Sequence, residues 1–145
     1  MNQVRPLIYV VDDNDDYRFI VSQVFKRSLT QYRTQYFNSG RDLCKHIESD
    51  LVEVPWLILI DYDMPGLNGP QTIAFLKQQA SWKEVPMIIV SSGMSPEEQQ
   101  IAYNSGADSY RQKPTTLNQL QSELGQLCDY WAEVCVETRR YGVTG

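Results

Sequence analysis

The sequence predicts an α/β protein of the (βα)5 type: a doubly wound, parallel five-stranded sheet with helices on both faces. Three observations lead there. Short apolar runs are continuous rather than alternating, the pattern of strands covered on both sides. Between them the apolar spacing becomes helical. The two patterns take turns along the whole chain of 145 residues, which implies parallel strands joined by right-handed crossovers.

The first strand is Leu7-Ile8-Tyr9-Val10-Val11. Tyr17, Ile20, Val21, Val24 and Phe25 then fall on one stripe of a first helix. A weaker second strand runs from Arg33 to Phe37. Ser39-Gly40-Arg41-Asp42 has the form of a capping box, opening a second helix with Leu43 and Ile47 inward. Trp56-Leu57-Ile58-Leu59-Ile60 is the third strand, and Pro70 suits the first turn of a third helix that carries Ile73 and Leu76. Met87-Ile88-Ile89-Val90 is the fourth strand. Ser95-Pro96-Glu97-Glu98 then supplies an N-cap, an N1 proline and an N3 glutamate in order, with Gly106 as the stop. A weak fifth strand, Ser109 to Gln112, leads to a last helix capped by Thr116 and Gln119, with the stripe Leu117, Leu120, Leu124, Leu127 and Trp131. Val134, Cys135 and Val136 have either the domain or a partner to pack against.

Composition excludes several classes. A net charge of −5, with no Lys/Arg cluster longer than Arg139-Arg140, argues against direct binding of nucleic acid. The apolar runs are too short to cross a membrane. Three cysteines (Cys44, Cys128, Cys135) form no CxxC and read as reduced thiols of a cytoplasmic protein. The length fits one domain.

In sheets of this kind the ligand site lies beyond the carboxyl ends of the strands. Strand one ends in Asp12-Asp13, strand three in Asp61, strand four in Ser91-Ser92 and strand five in Lys113-Pro114. Each alone has a plain explanation: a helix-capping acid, a turn hydroxyl, a surface lysine. Together they put three carboxylates, a hydroxyl and an ammonium on one rim. Such carboxylates resist simultaneous ionisation unless a cation neutralises them. Oxygen ligands with no His or Cys nearby suit Mg²⁺, while His46, on the second helix, is away from the rim. A divalent ion beside a carboxylate, opposed by a hydroxyl and a lysine, is what phosphoryl transfer to an aspartate requires.

Five blocks, VVDD (Val10 to Asp13), LILIDYDMPG (Leu57 to Gly66) followed by Gly69, IIVSSG (Ile88 to Gly93), GADSY (Gly106 to Tyr110) and Lys113-Pro114, stand in the order and spacing of one family. The chain resembles the receiver domain of two-component response regulators, in the single-domain form of the chemotaxis regulators, over about residues 6 to 128. The resemblance implies a flavodoxin-like sheet of order 2-1-3-4-5. It implies a phosphoacceptor, Asp61, that takes phosphoryl from a sensor histidine kinase or a histidine phosphotransfer protein, with slow autodephosphorylation and no other enzyme activity. It further implies Mg²⁺ held by Asp12, Asp13, Asp61 and the backbone carbonyl of Asp63. Ser91 and Lys113 would bind phosphoryl oxygens, Lys113-Pro114 would be a cis peptide, and Tyr110 would be a switch. Output would pass to a downstream protein target, or to a homodimer, through the fourth helix, fifth strand and fifth helix.

The chain departs from the family at Thr115, where an aromatic commonly follows Lys-Pro, and at Ser91, where threonine is more frequent. The family pattern ends near Cys128, so the expected division is a receiver domain over 1–130 and a tail over 131–145, without a separate effector domain. Two other readings stand beside this one. Asp61-Tyr62-Asp63 fits the DxD nucleophile signature of haloacid-dehalogenase-like phosphatases, although there the signature normally sits on the first strand and no cap domain is evident here. A non-phosphorylated, adaptor-like receiver is the other, and the full set of matched residues argues against it.

Overall fold

The computed structural model describes residues 5–49 and 51–140. Five strands, β1 (Leu7–Val11), β2 (Arg33–Phe37), β3 (Leu57–Asp61), β4 (Met87–Ser91) and β5 (Ser109–Gln112), alternate with five helices, α1 (Asp15–Ser28), α2 (Gly40–His46), α3 (Gly69–Lys77), α4 (Pro96–Asn104) and α5 (Leu117–Arg140). All strand pairs are parallel, and the order across the sheet is β2-β1-β3-β4-β5. Reversal of order between β1 and β3 opens a crevice at the carboxyl ends of those central strands.

Each central strand is buried along its whole length, which is why its sequence is apolar up to the polar residues, Asp61 and Ser91, that end β3 and β4. Alternate residues go to opposite cores. Tyr9, Val11, Ile58, Ile60, Met87 and Ile89 pack with Leu43, Ile73, Leu76 and Ala102 from α2, α3 and α4. Ile8, Val10, Leu57, Leu59, Ile88 and Val90 pack with Val21, Val24, Phe25, Leu120, Leu124 and Leu127 from α1 and α5. Helix starts follow the capping chemistry. Asn14, Ser39, Asn68 and Ser95 accept from the backbone N–H three residues on, and Asn68-Gln71 and Ser95-Glu98 close reciprocal capping boxes. Thr116 Oγ1 accepts from Gln119 N at 3.2 Å at the head of α5.

Several expectations are corrected. Ile20 and Leu117, expected on inward stripes, are 42% and 60% exposed. Ile20 lies at the margin of the α1 stripe, and Leu117 sits on the first turn of α5, ahead of the residues that meet the sheet. The third and fourth strands each extend to the functional residue, Asp61 and Ser91. The peptide between Lys113 and Pro114 is trans, as is every other among the described residues. Trans is favoured for such a bond by about 0.5–1 kcal/mol. The Lys113 N–H continues the sheet by donating to the Ser91 carbonyl (2.7 Å).

Helix α5 continues unbroken to Arg140, so position 130/131 falls within a helix. Trp131 packs against the α1/α5 core, and Cys135 Sγ lies 3.3 Å from the Trp56 carbonyl. Residues 141–145 of the expected tail, and the side chains of Val136, Arg139 and Arg140, lie outside the described residues. Among the described residues no helix is long and apolar enough to cross a membrane.

Candidate functional site

The carboxyl ends of β1, β3 and β5 converge as the sheet topology requires. Carboxylate oxygens of Asp12, Asp13 and Asp61 all lie within 4.8 Å of one another. Asp12 and Asp61 are 2% and 8% exposed, whereas Asp13 faces solvent. Asp12 is held from several sides. Its Oδ1 accepts from Asn14 N (2.9 Å), its Oδ2 meets Lys113 Nζ at 2.8 Å, and its carbonyl accepts from Arg18 Nη1 at 2.6 Å. Lys113 Nζ also lies 3.3 Å from Asp61 Oδ1, so one ammonium bridges the two buried carboxylates.

The β3–α3 loop brings the chain back over Asp61. Gly66 adopts φ +80°, a left-handed conformation that glycine enters freely. Gly69 donates to the Tyr62 carbonyl at 2.9 Å, and a Cβ there would come within 2.6 Å of the Asp61 carbonyl oxygen. Glycine is required at position 69 by that approach.

Electrostatics at the cluster are opposed. Burial pushes the Asp61 carboxyl up to about 6, with Asp12 and Asp13 adding to the rise and Lys113 counteracting it. Burial pulls the Lys113 ammonium down, but Asp12 and Asp61 outweigh it and leave Lys113 above its ordinary value. One cation cannot balance three acids, and all the converging donors are carboxylate oxygens. The residues present therefore fit a hard divalent cation.

Other expected residues lie around this centre rather than in it. Ser91 is one position beyond Val90, which pairs with Asp61 across the sheet. Its Oγ is buried, donates to the Gly93 carbonyl at 3.2 Å and lies 3.4 Å from Gly93 N. Asp63 is exposed, and its carboxylate is not among the three clustered acids. Tyr110 pairs with Ile89 on β4, packs against the core and donates from its hydroxyl to Gln99 Oε1 on α4 at 2.8 Å. Tyr103 meets its ring edge-on at 5.6 Å. His46 is well away, with its Nε2 3.2 Å from the Tyr9 hydroxyl.

Sequence reading missed two residues here. Arg18 secures the Asp12 backbone. Tyr17, assigned only to a core stripe, puts its ring face 4.4 Å from Lys113 Nζ.

Comparison with known proteins decides the family. The model of the response regulator receiver domain matches residues 8–125. The chain belongs to that family. Among similar proteins, the two-component response regulator ARR16 of Arabidopsis thaliana is 31% identical over 121 residues, 76% of this chain and 73% of its own. Two solved structures share the receiver fold. The phosphorylated cyanobacterial phytochrome response regulator RcpA is 18% identical with a TM-score of 0.81, over 90% of this chain and 96% of its own. The Mn(2+)-bound response regulator Rcp1 is 21% identical with a TM-score of 0.75, over 87% and 94%. This receiver domain is thus a phosphoacceptor module of two-component signalling, a class that works with histidine kinases and downstream effectors rather than as a classical enzyme. Membership in the receiver family sets aside the haloacid-dehalogenase-like reading of Asp61-Tyr62-Asp63.

Proposed function

We propose that Asp61 is the phosphoacceptor and that it takes phosphoryl from the phosphohistidine of a sensor histidine kinase or histidine phosphotransfer protein in a Mg²⁺-dependent reaction. One observation carries the reading: a buried carboxylate at the end of the central strand, clustered with Asp12 and Asp13 and bridged to Asp12 by Lys113. A carboxylate oxygen of Asp61 attacks phosphorus in line. The phosphorus–nitrogen bond breaks, the donor imidazole leaves, and an acyl phosphate results. Asp12, Asp13 and Asp61, with the Asp63 backbone carbonyl, would hold Mg²⁺, whose chemistry is to offset negative charge on the transferring group. Lys113 exchanges one carboxylate contact for a phosphoryl oxygen, and the Ser91 hydroxyl turns from Gly93 to donate to another.

Phosphorylation adds nearly two negative charges beside Ser91 and Lys113. Inward movement of Ser91 makes room for Tyr110, whose hydroxyl links β5 to α4 through Gln99. The α4–β5–α5 face then presents an altered surface to a downstream protein or to a second copy of the chain. Return to the resting state proceeds by slow hydrolysis of the acyl phosphate. The buried thiols of Cys44 and Cys128 support a reducing, cytoplasmic setting. Phosphoramidate as donor tests the core of the proposal. Uptake that requires Mg²⁺ and is lost in Asp61→Asn is expected; metal-independent uptake would point to a different reaction, and failure to bind Mg²⁺ to an adaptor-like receiver.

A further inference from the structure

Lys113 has an aromatic neighbour as well as two acidic ones. Its ammonium lies 2.8 Å from Asp12, 3.3 Å from Asp61 and 4.4 Å from the centre of the Tyr17 ring. Tyr17 lies in the first turn of α1, where its backbone N–H is tied to Asn14 Oδ1 at 2.9 Å, and its side chain packs against the α1/α5 core. Tyr17 lines two spaces. One is the narrow crevice that Asp12 and Asp61 also line. The other is a groove of about 480 Å³ between β5 and α5, which Pro114 and Glu123 also line.

We propose that Tyr17 is a positioning residue for phosphoryl uptake: its ring face keeps the Lys113 ammonium turned toward Asp12 and Asp61, and keeps it out of the groove where Glu123 offers a competing carboxylate. The role rests on Asp61 being the acceptor. An aromatic face suits the task because it attracts a cation through its quadrupole without accepting a directed hydrogen bond. It holds the charge in place and leaves the N–H groups available for a phosphoryl oxygen. A carboxylate at the same place would bind the ammonium more strongly and compete with the phosphoryl group. Substituting an aliphatic side chain removes the attraction and opens a route for the flexible lysine stem toward Glu123.

The ring, rather than the hydroxyl, is the working part, which sets the test. Tyr17→Phe, Tyr17→Leu and the double variant Tyr17→Leu/Glu123→Gln are compared with wild type in Mg²⁺-dependent phosphorylation by phosphoramidate. Thermal unfolding verifies that each is folded. Tyr17→Phe matches wild type, Tyr17→Leu is slower by roughly five- to thirty-fold, and the double variant recovers part of that loss. In protein with isotope-labelled lysine, the side-chain methylene protons of Lys113 next to the ammonium carry an upfield ring-current shift in wild type and Tyr17→Phe that vanishes in Tyr17→Leu. This readout needs no phosphorylation. Should Tyr17→Leu phosphorylate as fast as wild type, or Tyr17→Phe be as slow as Tyr17→Leu, the positioning role is overturned while Asp61 remains the acceptor. A wild-type protein that shows the ring-current shift but takes up no phosphoryl overturns the reading of Asp61, and the role of Tyr17 in uptake with it.

Discussion

Removing the negative charge of Asp61 should stabilise the metal-free protein at neutral pH and leave it unchanged in acid. The carboxyl is held up at about 6, against an ordinary 3.8, chiefly by burial and then by Asp12. The folded protein therefore keeps a proton that the unfolded chain has already released between about pH 4 and pH 6. Stability from this group is full below the unfolded value and is lost as pH rises through the folded one, so it is at its lowest from about pH 7 upward. The difference between the two values corresponds to about 3 kcal/mol. Solvent reaches the rim and screens the group, which reduces the expected effect to roughly 1–2 kcal/mol. Asp61→Asn removes the ionisation while Lys113 keeps its 2.8 Å contact with Asp12. Calorimetry in the presence of a chelator should give a melting temperature for Asp61→Asn that is higher than wild type by roughly 3–8 °C at pH 7.5. The gap should close by pH 4. An Asn variant no more stable than wild type at pH 7.5, or a gap that persists unchanged at pH 4, would show that the Asp61 charge does not limit stability.

The same repulsion should be relieved by other means. Mg²⁺ should raise the wild-type melting temperature at pH 7.5, with about 2.7 kcal/mol of linked stabilisation at a hundred times its dissociation constant; a flat titration would count against the metal site. Asp13→Asn should raise the melting temperature of the metal-free protein and diminish its response to Mg²⁺. Tyr110→Ala should leave Asp61 able to accept phosphoryl but weaken coupling to the output face. Beryllofluoride should move backbone amide resonances over residues 95–127 in wild type and move them less in the variant, and wild-type resonances that stay still would sink the switch.

The central sheet was legible because its strands are buried on both faces and so are apolar without a break, as in Leu57-Ile58-Leu59-Ile60. Helix starts were legible because capping is local: Ser95 and Glu98 are three residues apart in sequence and in contact. The clustered acids followed from topology, since a parallel sheet brings the carboxyl ends of β1 and β3 to one rim whatever lies between them. Stripe margins were harder. Periodicity alone does not say where a helix leaves the sheet, so Ile20 and Leu117 were placed inward although both are exposed. The Lys113-Pro114 geometry depended on resemblance, and this chain adopts the trans form. Tyr17 escaped because its spacing fits the helix stripe and its cation comes from far along the chain. A pattern on one helix cannot report a partner just beyond β5.

In the proposed reaction Asp61 itself carries the phosphoryl group. The most direct measurement is site mapping after reaction with acetyl phosphate and Mg²⁺, with borohydride reduction to trap the acyl phosphate before digestion and mass spectrometry. The expected result is reduction of the Asp61 side chain to the alcohol of homoserine, dependent on both acetyl phosphate and Mg²⁺ and absent from Asp61→Asn. Trapping at Asp12, Asp13 or Asp63 in wild type, with Asp61 unmodified, would contradict it.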